Sequence, residues 1–228
     1  MSEPGSAAAA GAGRRPQRAD ARTNRVRVLD AAEQVFGRGG ETASTEEVAR
    51  LAGVGIATVF RNFPTKAALL EAVLVRRFER LRDQARGLAG AADPGRAFFD
   101  FFAHMVADAS GKIAIAEALA DAGGDAPGSA ERASGELERA LGVVLERAQE
   151  AGAVRKDIGL PEVYALLIGS SRAAALAHLD ANVQARALAI VFDGLSGTPR
   201  DAGGSAGVPR TRDRGDGRVR GPDQVTGG

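Results

Sequence analysis

The sequence predicts an all-α protein, and three observations carry that prediction. Ala, Leu, Val, Glu and Arg dominate a chain of 228 residues that is 44% hydrophobic, only 4% aromatic and without Trp. Good helix formers at this density argue for helices. Apolar residues recur at three- and four-residue spacing in successive stretches bounded by Gly, Pro or capping residues. No alternating apolar and polar run bounded by turns stands out.

Residues 1–13 are rich in Ala and Gly, and residues 14–27 hold six arginines against one acid, Asp20. Residues 1–21 are expected to be a disordered basic arm, either solvated or lying along a polyanion. A first helix is expected over about 22–37. Val28, Leu29, Ala32, Val35 and Phe36 would face inward, and Gly39-Gly40 would end it.

Ser44 or Thr45 then offers an N-cap ahead of Glu46-Glu47, and acids suit the positive end of a helix. Val48, Ala49, Leu51 and Ala52 give this second helix one apolar face. Gly53 can take a left-handed conformation, so the chain can turn sharply there. The third helix is expected to bury Val59, Phe60 and Phe63, leaving Ile56, Ala57, Arg61 and Asn62 on other faces. Two helices joined this way form a helix-turn-helix, whose second helix can enter the major groove of DNA. Pro64 precedes a fourth helix that packs Leu69, Leu70, Val73, Leu74, Phe78 and Leu81.

The break from Gly87 to Pro94 divides a head, residues 22–86, from a second helical domain, residues 87–197. Helices are expected there near 94–109, 112–121, 129–151, 161–178 and 183–196, with a Gly-rich stretch at 122–128. From residue 198 onward, 31 residues include eight Gly and three Pro and almost no large apolar side chains. Such a composition cannot offset its ordering entropy, so a disordered tail is expected.

Charge divides the chain in the same place. Residues 14–92 carry 15 basic and 9 acidic side chains, and residues 93–197 carry 9 basic and 15 acidic. The basic part suits a polyanion, and the acidic part does not. The absence of Cys excludes disulfides, thiolate metal sites and a cysteine nucleophile. His104 and His178 lie too far apart in sequence for a metal-binding spacing. No apolar run reaches the roughly 18 residues of a membrane span, and no secretory segment follows Arg14-Arg15. A cytoplasmic protein without a cofactor is expected.

The run R-V-L-D-A-A-E-Q-V-F-G-R-G-G, followed by T-E-E-V-A-R-L-A-G-V-G-I-A-T-V-F-R-N-F-P-T-K-A-A-L-L, resembles the TetR family of bacterial transcription regulators. The resemblance covers about residues 24–74 and implies an N-terminal helix-turn-helix head joined by the fourth helix to a helical effector-binding and dimerisation domain. It implies that Lys66 binds a backbone phosphate, helped by the start of its helix. Thr45 would cap the second helix and could touch phosphate, and Thr58 and Asn62 match phosphate-facing positions. Ile56 and Ala57 match positions that meet base edges, where apolar groups contact thymine methyls. Arg61 is the long donor of this helix, for guanine or phosphate. Phe60 stands where the family usually has Tyr, so it lacks the hydroxyl and would be mostly core. Gly55 stands where Ser often begins the third helix and remains acceptable as a cap.

In the second domain, Phe98, Phe101, Phe102 and Met105 share one broad helix face. They read either as ordinary core or as the wall of the apolar effector cavity that the resemblance implies. The helices at 161–178 and 183–196 carry small residues and an apolar stripe that suit a homodimer interface. The leading reading is a non-enzymatic homodimeric repressor that leaves a palindromic operator when a small apolar or amphipathic effector binds. The alternative is a helical DNA-binding or architectural protein whose second domain only dimerises.

Overall fold

The computed structural model describes residues 14–38, 43–123, 128–176 and 180–197. Among these residues there are nine helices and no strand. They are α1 (Arg14–Arg38), α2 (Thr45–Ala52), α3 (Ile56–Asn62), α4 (Lys66–Leu88), α5 (Pro94–Ala107), α6 (Ala109–Asp121), α7 (Ser129–Glu150), α8 (Leu160–Leu176) and α9 (Ala181–Leu195). The expectations for residues 1–13 and 198–228, and for a stop at Gly39-Gly40, lie outside the described residues.

Helix α1 begins at Arg14, well before the start expected near residue 22. Arg, Ala and Gln are good helix formers, and Pro16 falls in the first turn, where its missing N–H costs nothing. Residues 14–21 are therefore helical rather than a disordered arm. At the other break, Asp93 caps α5 by accepting a hydrogen bond from Arg96 N at 2.9 Å, with Pro94 in the first turn. Helices α5 and α6 then meet directly at Asp108.

Two apolar cores lie along α4. The first joins Val28 and Phe36 of α1, Val48 of α2, Val59 of α3 and Leu69, Leu70 and Val73 of α4. Ile115 and Leu119 of α6 are buried in this same core. The second joins Leu81 of α4 to Phe98 and Phe102 of α5, Leu141 and Val144 of α7, Val163 of α8 and Leu195 of α9. Helix α4 thus runs through both cores, and α6 reaches back to the first.

The segment after α7 fastens the end of α9. Gly152 has φ +75°, which lets the chain reverse. Val154 then pairs with Ser196 in an isolated antiparallel bridge, with Arg155 N donating to Leu195 O at 3.0 Å. Gly197 N donates to Ala153 O at 2.9 Å. Gly95 at the start of α5 presses on this segment: a Cβ there would lie 2.4 Å from Ala153 Cβ.

Candidate nucleic-acid interface and effector groove

The helix-turn-helix is built by local hydrogen bonds. Ser44 has extended backbone, and its Oγ accepts from Glu47 N at 3.2 Å. Ser44, not Thr45, is therefore the cap of α2. Thr45 is the first helical residue and is buried, because Ser44 is the last residue with the extended backbone that a cap requires. Gly53 closes α2 at φ +63°, ψ +39°, the left-handed conformation expected of it. Val54 N donates to Ala49 O at 3.0 Å across this turn. Gly55 is the N-cap of α3, with Thr58 N donating to its carbonyl at 2.8 Å.

Helix α3 is anchored by Val59, fully buried, and by its closing residue Phe63. Arg25 of α1 stacks on the Phe63 ring, its guanidinium carbon 4.3 Å from the ring centroid, and donates to Asn62 O at 3.3 Å. Ile56, Ala57, Phe60 and Arg61 are exposed, and Thr58 and Asn62 are half-buried. Phe60 corrects the expectation of a core residue: it is 43% exposed. Val59 and Phe63 sit four residues apart on the inward stripe, and Phe60 is rotated off it. Asn62 Nδ2 donates to Thr58 O at 2.8 Å, so one of its amide hydrogens is committed to its own helix.

Lys66 is the first residue of α4 and is exposed. Thr65 caps this helix, its Oγ1 accepting from Ala68 N at 3.0 Å. Lys66 Nζ lies 5.2 Å from the centroid of the Phe36 ring, which holds the ammonium close to the first core. Sequence reasoning passed over Thr65, although a threonine just after proline and just before a helical run is a cap signal.

The aromatic face of α5 is packed against α9. Ring centroids of Phe99 and Phe192 are 4.9 Å apart, those of Phe102 and Phe192 5.6 Å, and those of Phe98 and Phe99 5.2 Å. Phe98, Phe101 and Phe102 are buried in this core. Met105 is buried in the same core and also lines a closed cleft with Phe78, Tyr164 and Leu167, whose polar wall is Asp108, Lys112, Glu138 and Ser171. Its volume of about 20 Å³ holds no more than a water.

Beside it opens a larger groove of about 490 Å³, floored by Leu74 and Phe78 of α4. Lys112, Ile113 and Ala116 of α6 form one wall, and Ala130 and Ser134 of α7 the other. Its size falls within the roughly 300–1,000 Å³ of small-molecule sites. Phe78 and Lys112 border both spaces. In the sequence, Phe78 shows only the spacing of a core residue and Lys112 belongs to no motif.

An ion network joins the closed cleft, through Asp108, to the head. Arg77, buried on α4, donates to Glu33 of α1 at 3.2 Å and to Asp108 between α5 and α6. Arg76 and Arg80 donate to the same Glu33 carboxylate at 2.9 and 2.6 Å. Burial alone would raise the Glu33 carboxyl, but hydrogen bonds from Arg80 and Arg76 and the charges of Arg80 and Arg77 hold it below its ordinary value. Close by, a Cβ on Gly37 would lie 3.8 Å from Gly111 Cα and 3.9 Å from Ile115, so α1 and α6 touch.

Helices α8 and α9 leave apolar side chains in solvent: Leu166, Ile168, Val183 and Ile190, the last 72% exposed. Among the described residues, no group of three His, Asp or Glu side chains is arranged to hold a metal, and no helix is long and apolar enough to cross a membrane.

A helix-turn-helix head whose core is shared by a helix of an effector-sized groove is the architecture of a transcription regulator. Residues 28–73 match the family described as bacterial regulatory proteins of the tetR family, and residues 93–197 match an SbtR-like transcriptional regulator C-terminal domain. A TetR transcription regulatory protein from Mycobacterium vanbaalenii is 38% identical, with 79% of this chain and 99% of that chain covered and a TM-score of 0.65. A TetR transcriptional regulator from Streptomyces coelicolor is 33% identical, with coverages of 77% and 99% and a TM-score of 0.64. The chain belongs to the TetR family of bacterial transcriptional regulators.

The HTH-type transcriptional repressor KstR of Rhodococcus jostii is 37% identical over 67 residues, which are 29% of this chain and 32% of that protein. KstR of Mycolicibacterium smegmatis is 41% identical over 61 residues, 26% of this chain and 30% of that protein. The matched region is thus about a third of the length of these curated relatives.

Proposed function

We propose that this TetR-family regulator is a homodimeric repressor that catalyses no reaction, acts on DNA in the cytoplasm and leaves a near-palindromic operator when an effector occupies its second domain. The observation that carries the reading is α6. It walls the open groove with Lys112, Ile113 and Ala116 while burying Ile115 and Leu119 in the core of the head. A molecule wedged between α6 and α7 therefore bears on the element that supports α1. An effector shifts the equilibrium only by binding the DNA-incompetent arrangement more tightly.

On the DNA side, Ile56 and Ala57 supply apolar contacts to thymine methyls, and Phe60 extends that apolar face. Arg61, Lys66, Thr58 and Asn62 supply backbone contacts. Gly55 lets the chain approach closely, and Thr45 supports the start of α2 from inside. Both KstR relatives are repressors, which supports the sign of regulation.

Association through α8 and α9 would cover Leu166, Ile168, Val183 and Ile190 and set the two heads at successive major grooves.

Selection of genomic fragments bound by the purified protein tests this reading. The expected product is a two-fold-related sequence with half-sites about one helical turn apart. Equal affinity for selected and scrambled duplex at physiological salt would overturn it.

A further inference from the structure

We propose that the groove between α4, α6 and α7 takes a monocarboxylate with an apolar body, and that Lys112 is the residue that receives its carboxylate. This rests on the reading of the groove as the effector site and names the class of molecule it accepts.

Lys112 is the cation placed between the two spaces. It is half-buried, borders both the open groove and the closed cleft, and its Nζ lies 5.8 Å from the Phe78 ring centroid. Asp108, one turn earlier, favours the charged form of Lys112 but makes no ion pair with it. The Asp108 carboxylate is taken at both oxygens by Arg77, whose Nε donates to Oδ2 at 2.7 Å. Arg77 Nη2 also donates to the Asp108 carbonyl at 2.7 Å. Among the described residues, no carboxylate forms an ion pair with Lys112.

Burial pushes the Lys112 ammonium below its usual range, Asp108 pulls it back up and Arg77 adds to the fall. A cation already partly stripped of water costs less further desolvation when a carboxylate docks on it than a fully hydrated one would. Of the other residues that line the groove, Glu131 and Ser134 are polar, while Leu74, Phe78, Ile113, Ala116 and Ala130 offer a surface for a hydrocarbon body.

Two acids limit the charge of the head group. Glu131 stands at the open groove and Glu138 at the closed cleft. Both repel a second negative charge, so a carboxylate is favoured over a dianionic phosphate on the same chain.

Isothermal titration of the full-length protein with dodecanoate, dodecanol and dodecyl phosphate tests the assignment. Dodecanoate is expected to bind about tenfold or more tightly than dodecanol, as for a hydrogen bond to a charged group, and more tightly than dodecyl phosphate. Lys112→Met, which keeps the apolar stem, is expected to erase the preference over dodecanol. Dodecanoate should also protect Lys112 in the unaltered protein from acetylation, read by peptide mass spectrometry, a measurement that needs no variant. Equal binding of acid and alcohol, tighter binding of the phosphate, no binding of any probe, or unprotected Lys112 at saturation would each overturn the proposal. If the preference is present and Lys112 is protected but operator affinity stays unchanged at saturating dodecanoate, the head-group assignment stands and the repressor-release reading fails.

Discussion

Arg77 and Asp108 meet across the junction of α5 and α6 in three hydrogen bonds, two to the carboxylate oxygens and one to the backbone carbonyl. The same guanidinium reaches Glu33 of α1 at 3.2 Å. One buried side chain on α4 thus fixes the start of α6 and the C-terminal third of α1 together. Gly111 is part of this arrangement, since a Cβ there would stand 3.2 Å from both terminal nitrogens of Arg77.

Arg77→Met is expected to lower stability by about 3 kcal/mol, because it strands Asp108 and weakens the pairing of Glu33 in a partly dry site. Arg77→Lys should recover only part of this, since a point charge cannot reproduce the fork. Chemical denaturation of the three proteins measures the order. Equal stability of the Met variant and the parent would contradict the role.

Glu33 gives the network a pH signature. Its carboxyl titrates lower in the folded chain than in the unfolded one, so its contribution is present above the ordinary carboxylate pKa, about 4.3. That contribution is lost as pH falls through the folded value. Glu33→Gln should flatten the drop in melting temperature across this acid range and leave the slope near neutrality alone. An unchanged acid limb would show that other carboxylates control it.

Lys66→Ala is expected to weaken binding to every duplex alike and to reduce the salt slope by about one unit, as for a lost phosphate contact. A changed base preference without loss of affinity would point to direct readout instead.

Phe60 and Phe63 separate DNA recognition from folding. Phe60→Ala should lower operator affinity while costing less than about 1 kcal/mol of stability, because the ring already faces solvent. Phe63→Ala should cost about 3–5 kcal/mol, as for other buried phenylalanines. Paired melts and DNA titrations distinguish these outcomes. A large stability loss at Phe60 would return it to the core.

Gly95→Ala should destabilise the second core by about 1–3 kcal/mol through overpacking against Ala153. A parallel Gly90→Ala variant, with open space around its Cβ position, serves as the control and should be near neutral. Equal melting temperatures for the two would show that α5 shifts freely.

The head was legible because its signals are local. A serine cap, two acids and a glycine at the turn fix α2, and inward-facing Val48, Val59 and Phe63 follow from three- and four-residue spacing. The error at Phe60 came from a helix of only seven residues, where an aromatic looks like core whichever way it points. Arg77 and Lys112 escaped notice because a lone basic residue in a helical run reads as solvated surface. Their burial depends on α1, α5 and α6 converging on α4, which no local pattern records. The start of α1 was missed for the opposite reason: arginine density suggested an arm, while helix propensity decided the backbone.

Helix α9 has Leu195 as its one buried residue, next to the bridge that fastens its end. Leu188, Val191 and Phe192 are only half-buried against the second core, and Ile190 and Val183 face water. If two subunits pair through α8 and α9, as proposed above, the pairing adds stability by mass action, so the melting temperature should climb with protein concentration.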